Sequence, residues 1–341
     1  MAEGGNGRRR GKPTMEDVAA KAGVSRALVS LVFRDQPGAS EATRDRVYQA
    51  AAELGYRPDT AAQMLARSRT RVIGVMVTMR NTFHADLVDA IYPAAEDLGY
   101  DILLSATSPG RDERQAVEAL LGHRCEGLLL LGPNLDPEYV THVGRQAAVV
   151  PVGRRYPDCG VSSVHAAESK GVRQVIDHLA ELGHRDIVHV DGGDRPGSAE
   201  RRKAYRTAMR RHGLADHIRV LAGKHTEAAG AEAAQQLLAD RTHLPTAVFA
   251  SNDRAAIGVL DAFQRAGLST PGDISVAGYD DSLLAQLSHI DLTTVNQNPQ
   301  RQGELAVRAA VAAIEDPDSG PQDHAVDPKL VIRGTTAQPR G

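Results

Sequence analysis

The chain has no tryptophan, only four phenylalanines and only two cysteines in 341 residues. Without large aromatic surfaces a pocket stacks nucleobases poorly, which leans any ligand toward a polyhydroxylated molecule. Cys125 and Cys159 have neither metal-ligand spacing nor a disulfide pattern, so a reducing, cytoplasmic setting is expected. No run approaches the roughly 18 apolar residues of a membrane span. The Arg8-Arg9-Arg10 cluster is followed by no apolar stretch, so no secretion signal is expected either. The 13 histidines show no i, i+4 metal pairing, and Ser162-Ser163 lacks the glycines of a nucleophile elbow. No nucleophile beside a base and no poised carboxylate pair is legible, so the chain reads as a non-enzyme with no cofactor.

What is present is a charge split. The whole chain holds 40 Lys+Arg and 43 Asp+Glu; residues 1–71 carry 13 and 8 of these, a net of +5, and the remainder 27 and 35, a net of −8. A basic head on an acidic body suits a polyanion partner at one end only. Residues 1–12, rich in glycine and arginine, read as a disordered tail that adds nonspecific phosphate attraction.

From Pro13 the pattern is helical. Thr14 followed by Asp17 resembles a capping box, and Met15, Val18, Ala19 and Ala22 recur at helical spacing until Gly23-Val24. Ser25 is a good N-cap for a second helix to Phe33, whose Val29, Val32 and Phe33 pack back while Arg26, Ala27 and Ser30 point away. Two helices across a glycine turn make a helix-turn-helix, and the N-terminal end of the second enters a major groove. Arg26 is then the natural reader of guanine O6 and N7, with Ser25 and Ser30 in reach of phosphate or base. A third helix from Ser40 to Leu54 closes the core with Val47, Ala50, Ala51 and Leu54, Gly55 caps it, and Tyr56-Arg57-Pro58 leads out. An ordinary helical mini-domain has the same outline; the charge split favours DNA.

After Arg71 short apolar runs alternate with amphipathic helices, first over 72–152 and again over 169–277, with Val72 to Thr78 and Gly127 to Leu131 the most continuous strands. That alternation predicts parallel sheets covered on both faces, and its restart predicts two doubly wound lobes. The segments 292–295, 297–314 and 329–333 fit a bilobed fold whose chain crosses between lobes more than once.

In the head, Val18-Ala19, Ala22-Gly23-Val24-Ser25, Val29-Ser30, Thr43-Arg44, Val47, Leu54-Gly55-Tyr56 and Pro58 stand at the spacing of the lac repressor family headpiece. In the body, Leu182-Gly183-His184-Arg185-Asp186-Ile187, Asn252-Asp253, Ala256-Ile257-Gly258, Asp273-Ile274-Ser275-Val276, Gly278-Tyr279-Asp280-Asp281, Leu292-Thr293-Thr294-Val295 and Gly303 follow in family order. From Pro13 to Thr335 the chain resembles that family. The resemblance implies an all-α helix-turn-helix headpiece over 13–58, a hinge helix and linker over 59–70, and an α/β periplasmic-binding-protein-like core over 71–335. Its N-lobe would comprise about 71–163 and 295–322, its C-lobe about 164–294 and 323–335, with a tail over 336–341. It also implies a hinge over Asp59 to Ala66 in which Leu65 wedges into the minor groove. The expected DNA-contacting set is Thr14, Ser25, Arg26, Ala27, Leu28, Ser30, Leu31, Tyr56, Asp59, Ala62 and Leu65. Leu28 and Leu31 depart from the family's threonine and its frequent polar or basic reader, which leaves readout resting on Arg26 or on contact with a thymine methyl.

Ligands of open α/β sheets sit beyond the carboxyl ends of strands. Phe83 and His84 follow the first strand and offer a stacking face and a hydrogen bond, although an aromatic buried in its own lobe fits the same pattern. The Asp191 to Ser198 turn is rich in glycine yet lacks a nucleotide-loop lysine, so an ordinary turn is expected. Arg201 matches the family's ligand-binding arginine, with Arg202 as a one-residue alternative. Asn252 and Asp280 stand where relatives supply an amide and a carboxylate. Asp253, beside Asn252, is a further ligand candidate but reads rather as a helix cap, Arg154 is a weaker ligand candidate and Tyr279 reads as packing. The expected function is a ligand-responsive transcriptional regulator, most simply a homodimeric repressor released from a near-palindromic DNA operator by a small sugar effector. A purine-type co-repressor, or a solute-binding protein on the same fold, is the alternative.

Overall fold

The structure is a computed structural model that describes residues 13–34, 36–56 and 69–340. The hinge positions Asp59, Ala62 and Leu65 and the tail over 1–12 lie outside the described residues. The chain forms two compact units, one within 1–70 and one from Arg71 onward.

The first unit is built by its caps. Thr14 Oγ1 accepts from the Asp17 N–H at 3.3 Å, and Asp17 Oδ2 accepts from the Thr14 N–H at 2.7 Å, which opens α1 (Met15–Ala22). Gly23 closes it in the left-handed region at φ +66°, where a side chain would be strained. Ser25 Oγ accepts from the Leu28 N–H at 3.2 Å and starts α2 (Arg26–Phe33). The third helix, α3 (Glu41–Leu54), ends on Gly55, again left-handed. Val18, Val29, Val32 and Val47 are fully buried between the three helices.

The second unit holds twelve strands and eight α-helices among the described residues. Six strands make one parallel sheet: β1 (Val72–Thr78), β2 (Asp101–Thr107), β3 (Gly127–Leu131), β4 (Ala148–Val152), β5 (Ser163–Ala166) and β11 (Asp323–Val326), in the order β11-β5-β4-β3-β1-β2. Helix α4 (Thr82–Asp97) packs on it through Leu87, Ile91 and Ala95, and α11 (Pro299–Glu315) through Ala306, Val307 and Ala310. A second parallel sheet runs β7-β6-β8-β9, from β6 (Ile187–Val190), β7 (Arg219–Leu221), β8 (Ala247–Ala250) and β9 (Ser275–Ala277). An antiparallel pair, β10 (Thr294–Asn296) with β12 (Lys329–Val331), lies beside β9. The remaining helices are α5 (Glu113–Gly122), α6 (Pro137–Gly144), α7 (Glu168–Glu181), α8 (Ser198–Arg211), α9 (Glu227–Leu238) and α10 (Asp253–Arg265).

The expected lobe limits need correction. Both β5 and β11 belong to the first sheet, where Asp323 pairs in register with Ser163, so the limits at 163 and 322 each fall one strand early. Helices α9 and α10 touch through glycine: a Cβ on Gly258 would stand 1.9 Å from the Glu227 carbonyl oxygen, and one on Gly230 2.0 Å from that of Ala255.

Candidate functional site

In both sheets the strand order reverses next to the first strand of its lobe, and crevices at such switch points open beyond the carboxyl ends. A cavity of about 600 Å³ lies there, lined by residues at or beyond the ends of β1 through β10.

On the first-lobe side Phe83 belongs to the lobe core and also lines the cavity, so both of its expected settings apply. His84 is buried, and its Nδ1 accepts from the Thr78 N–H at 3.0 Å. That bond places the ring proton on Nε2, and burial lowers the pKa to about 4, so His84 is a neutral donor.

On the second-lobe side Arg201 sits in the first turn of α8, 4% exposed. Glu168 grips it bidentately, Oε2 accepting from Nε at 2.9 Å and Oε1 from Nη2 at 3.1 Å, while Nη1 donates to the Ser251 carbonyl at 2.6 Å. The guanidinium carbon stands 4.0 Å from the centroid of the Tyr279 ring, which is fully buried and does not line the cavity. Burial opposes the Arg201 charge, but Glu168 outweighs it and holds the group charged above its ordinary range. Arg202 instead pairs with Asp191 and does not line the cavity.

Asp280 is 8% exposed and has φ +129°, a backbone angle rare for a side chain that bears a Cβ. Its Oδ1 accepts from Gln297 Nε2 at 2.7 Å, and burial, ahead of Arg201's opposing charge, pushes its carboxyl well above the ordinary value. Asn252 lines the cavity, and its Oδ1 accepts from the Ala255 N–H at 2.9 Å. Asn252 is therefore the cap of α10, which corrects the capping role expected of Asp253. Asp253 is fully buried, accepts from the Ser282 N–H at 2.7 Å and from the Thr294 hydroxyl, and ties the loop after β9 to the first residue of β10. It does not line the cavity. Neither does Arg154, whose Nη1 is spent on the Pro133 carbonyl at 3.2 Å and on Asn134.

Several cavity residues were not foreseen. Glu168, Lys224 and His225 follow β5 and β7, strands whose sequences (SVHA and RVL) are too short and too polar to stand out. Arg195 and Pro196 come from the glycine-rich turn read as ordinary. Ser198 and His225 share a hydrogen bond at 3.2 Å.

In the headpiece Ser25 and the exposed Arg26 and Ala27 open α2, with Leu28, Ser30 and Leu31 half-buried. Arg26 Nε meets Glu16 Oε1 at 2.8 Å, and Leu31 packs over Gly38. The Thr14 hydroxyl donates to Asp17 Oδ2 at 2.8 Å, and the Tyr56 ring packs 5.7 Å from that of Phe33.

Residues 14–59 match bacterial regulatory proteins of the lacI family, and residues 176–336 match the periplasmic binding protein-like domain. The repressor CytR of Escherichia coli (strain K12) is 31% identical over 328 residues, covering 95% of this chain and 96% of CytR. The chain belongs to the lacI family. Among solved structures, a Lac repressor dimer bound to operator and the anti-inducer ONPF superposes with a TM-score of 0.83 at 28% identity, over 96% of this chain and 100% of that one. A complex of the regulator CelR with cellobiose gives 0.70 at 30% identity, over 95% and 99%. As a member of the lacI family the chain is a DNA-binding transcriptional regulator. Among the described residues no helix is long and apolar enough to cross a membrane.

Proposed function

We propose that the chain is a repressor released from a near-palindromic operator when a small carbohydrate occupies the cavity between its lobes, and that it acts as a homodimer in the bacterial cytoplasm. The observation that carries the effector class is the mixture of donors and acceptors around the cavity. His84 Nε2–H, the Asn252 amide nitrogen left over from its cap, and the N–H groups of Arg201 not yet used can donate, while Glu168 and Asp280 accept. Each sugar hydroxyl both gives and takes a hydrogen bond, so it is satisfied by such neighbours, whereas a purine offers fewer donors and would have one phenyl ring, Phe83, to stack on.

Leu283, 70% exposed, with Leu284 and Leu287 beside it, gives the second lobe an apolar face for the partner copy. DNA-contact roles for Ser25, Arg26, Ala27, Leu28, Ser30 and Leu31 follow from their place on or before α2. Thr14 and Tyr56 are placed less directly, since both side chains serve the headpiece itself. A coupling of about 1–3 kcal/mol between cavity and operator would shift occupancy roughly 5–150-fold. Calorimetric titration with neutral mono- and disaccharides beside purines tests the effector class. Binding of a sugar supports the reading, and binding of purines alone replaces it with the co-repressor alternative.

A further inference from the structure

We propose that Glu168 sets the charge class of the effector, so that the cavity admits uncharged polyhydroxylated molecules and turns away sugar acids and sugar phosphates. This deepens the carbohydrate reading and rests on it. A planar guanidinium fork is what captures a carboxylate or phosphate bidentately. On Arg201 the Nε–Nη2 edge is already taken by Glu168 and Nη1 donates to the Ser251 carbonyl, which leaves one N–H on each of Nη1 and Nη2 for a hydroxyl but no uncompensated charge for an anion.

The pair is held in place from several sides. Glu168 opens α7, where the helix N-terminus favours a carboxylate, and is 9% exposed. Gly197 leaves the room for it: a Cβ there would stand 2.7 Å from Glu168 Oε1 and 3.0 Å from Arg201 Nη2. Tyr279 backs the guanidinium face. Arg201 cannot turn to a ligand anion without stranding a buried carboxylate, and breaking a buried pair is strongly unfavourable. Asp280 adds a second buried acid, so an arriving anion meets no free counterion among these groups. A hydroxyl can instead donate to the carboxylate lone pairs that Arg201 leaves open. Arg80, Arg195 and Lys224 also border the cavity, but they are exposed, where charges are screened and pair weakly, and the half-buried Arg254 is itself held bidentately by Glu227. The buried pair therefore decides.

The test titrates purified full-length protein and Glu168→Gln with D-glucuronate, D-galacturonate and inorganic phosphate, and in parallel with D-glucose, D-galactose and cellobiose. Glutamine keeps the size and one acceptor but releases the charged grip on Arg201. The expected result is that no anion binds the wild type, while Glu168→Gln gains about ten-fold or more for at least one of them. A wild type that binds an anion, or a variant that responds to anions no better than the wild type, overturns the proposal. Should Glu168→Gln fail to melt cooperatively, Glu168→Ala takes its place under the same criterion, and the wild-type titration stands by itself. The neutral sugars keep the two readings apart: a variant that gains anions in a protein that binds no sugar leaves the filter standing and removes the carbohydrate assignment.

Discussion

Arg254 reaches from the second lobe to the first, its Nη1 donating to the Arg80 carbonyl oxygen at 2.7 Å while Glu227 holds its other nitrogens at 2.8 and 2.6 Å. This bridge closes over the cavity that both residues line. Lysine keeps the charge but cannot hold Glu227 bidentately and reach Arg80 at the same time. Arg254→Lys is expected to weaken effector binding about five- to ten-fold, the loss of one charged hydrogen bond at a half-exposed site, with operator affinity in the absence of effector unchanged. Calorimetry of the variant beside the wild type reads it, and equal effector affinities would show that the bridge holds nothing closed.

His84 gives a pH dependence with a definite sign. Its pKa falls from the ordinary 6.5 to about 4 on burial, so between those values the unfolded chain binds a proton that the folded chain refuses. Stability from this group is complete above pH 6.5 and is lost as the pH falls toward 4, by as much as roughly 3 kcal/mol. The buried Asp280 works in the opposite direction, since its raised pKa contributes stability at low pH that is lost as the pH rises above the ordinary carboxylate value of 3.8. His84→Asn keeps an acceptor for the Thr78 N–H and removes the titration. Urea unfolding at pH 7 and pH 4.5 is expected to show a smaller acid loss in the variant, and an equal loss would mean that His84 is not a buried neutral ring.

Arg26 is paired with Glu16, but both side chains are more than 60% exposed, so the pair is worth little and does not restrain the arginine from DNA. Arg26→Ala is expected to cost about 1–3 kcal/mol against the operator and to relax the requirement at one base pair. Arg26→Lys should keep the salt dependence yet lose that discrimination. Binding to operators changed one base pair at a time distinguishes these outcomes from a uniform loss, which would assign Arg26 to the phosphate backbone.

Gly258 lies where α10 crosses α9 with no room for a methyl group, 1.9 Å from the Glu227 oxygen by construction of a Cβ. Gly258→Ala must push the helices apart, and a loss of about 2 kcal/mol or more is expected in chemical denaturation. Gly267, left-handed but with open space around it, serves as the control for a glycine whose demand is conformational alone.

How far the sequence reaches is clearest from where its reading stops. The headpiece is legible because its ends carry local chemistry: Thr14, Gly23, Ser25 and Gly55 each do what their side chains, or lack of one, allow. Strands β1 and β3 are legible because both faces are buried, which demands unbroken apolar runs. The edge strand β11, with its DHAV sequence, is half solvent-facing and is selected by pairing with β5 across 160 residues, a cause no local pattern records. The missed β5 in turn hid Glu168, since the expectation was built on residues that follow recognised strands. The cap fell to Asn252 and not to Asp253 although both side chains can cap a helix, because Asp253 is taken by Ser282 and Thr294.

The most direct measurement is binding of the full-length protein to fragments of its own upstream region at two salt concentrations, with and without a panel of neutral sugars. The expected result is specific, salt-sensitive binding that one sugar releases. Binding that appears only when a compound is added would reverse the sign of the coupling, and failure to bind any fragment specifically would contradict the assignment of α2 as a DNA-reading helix in this chain.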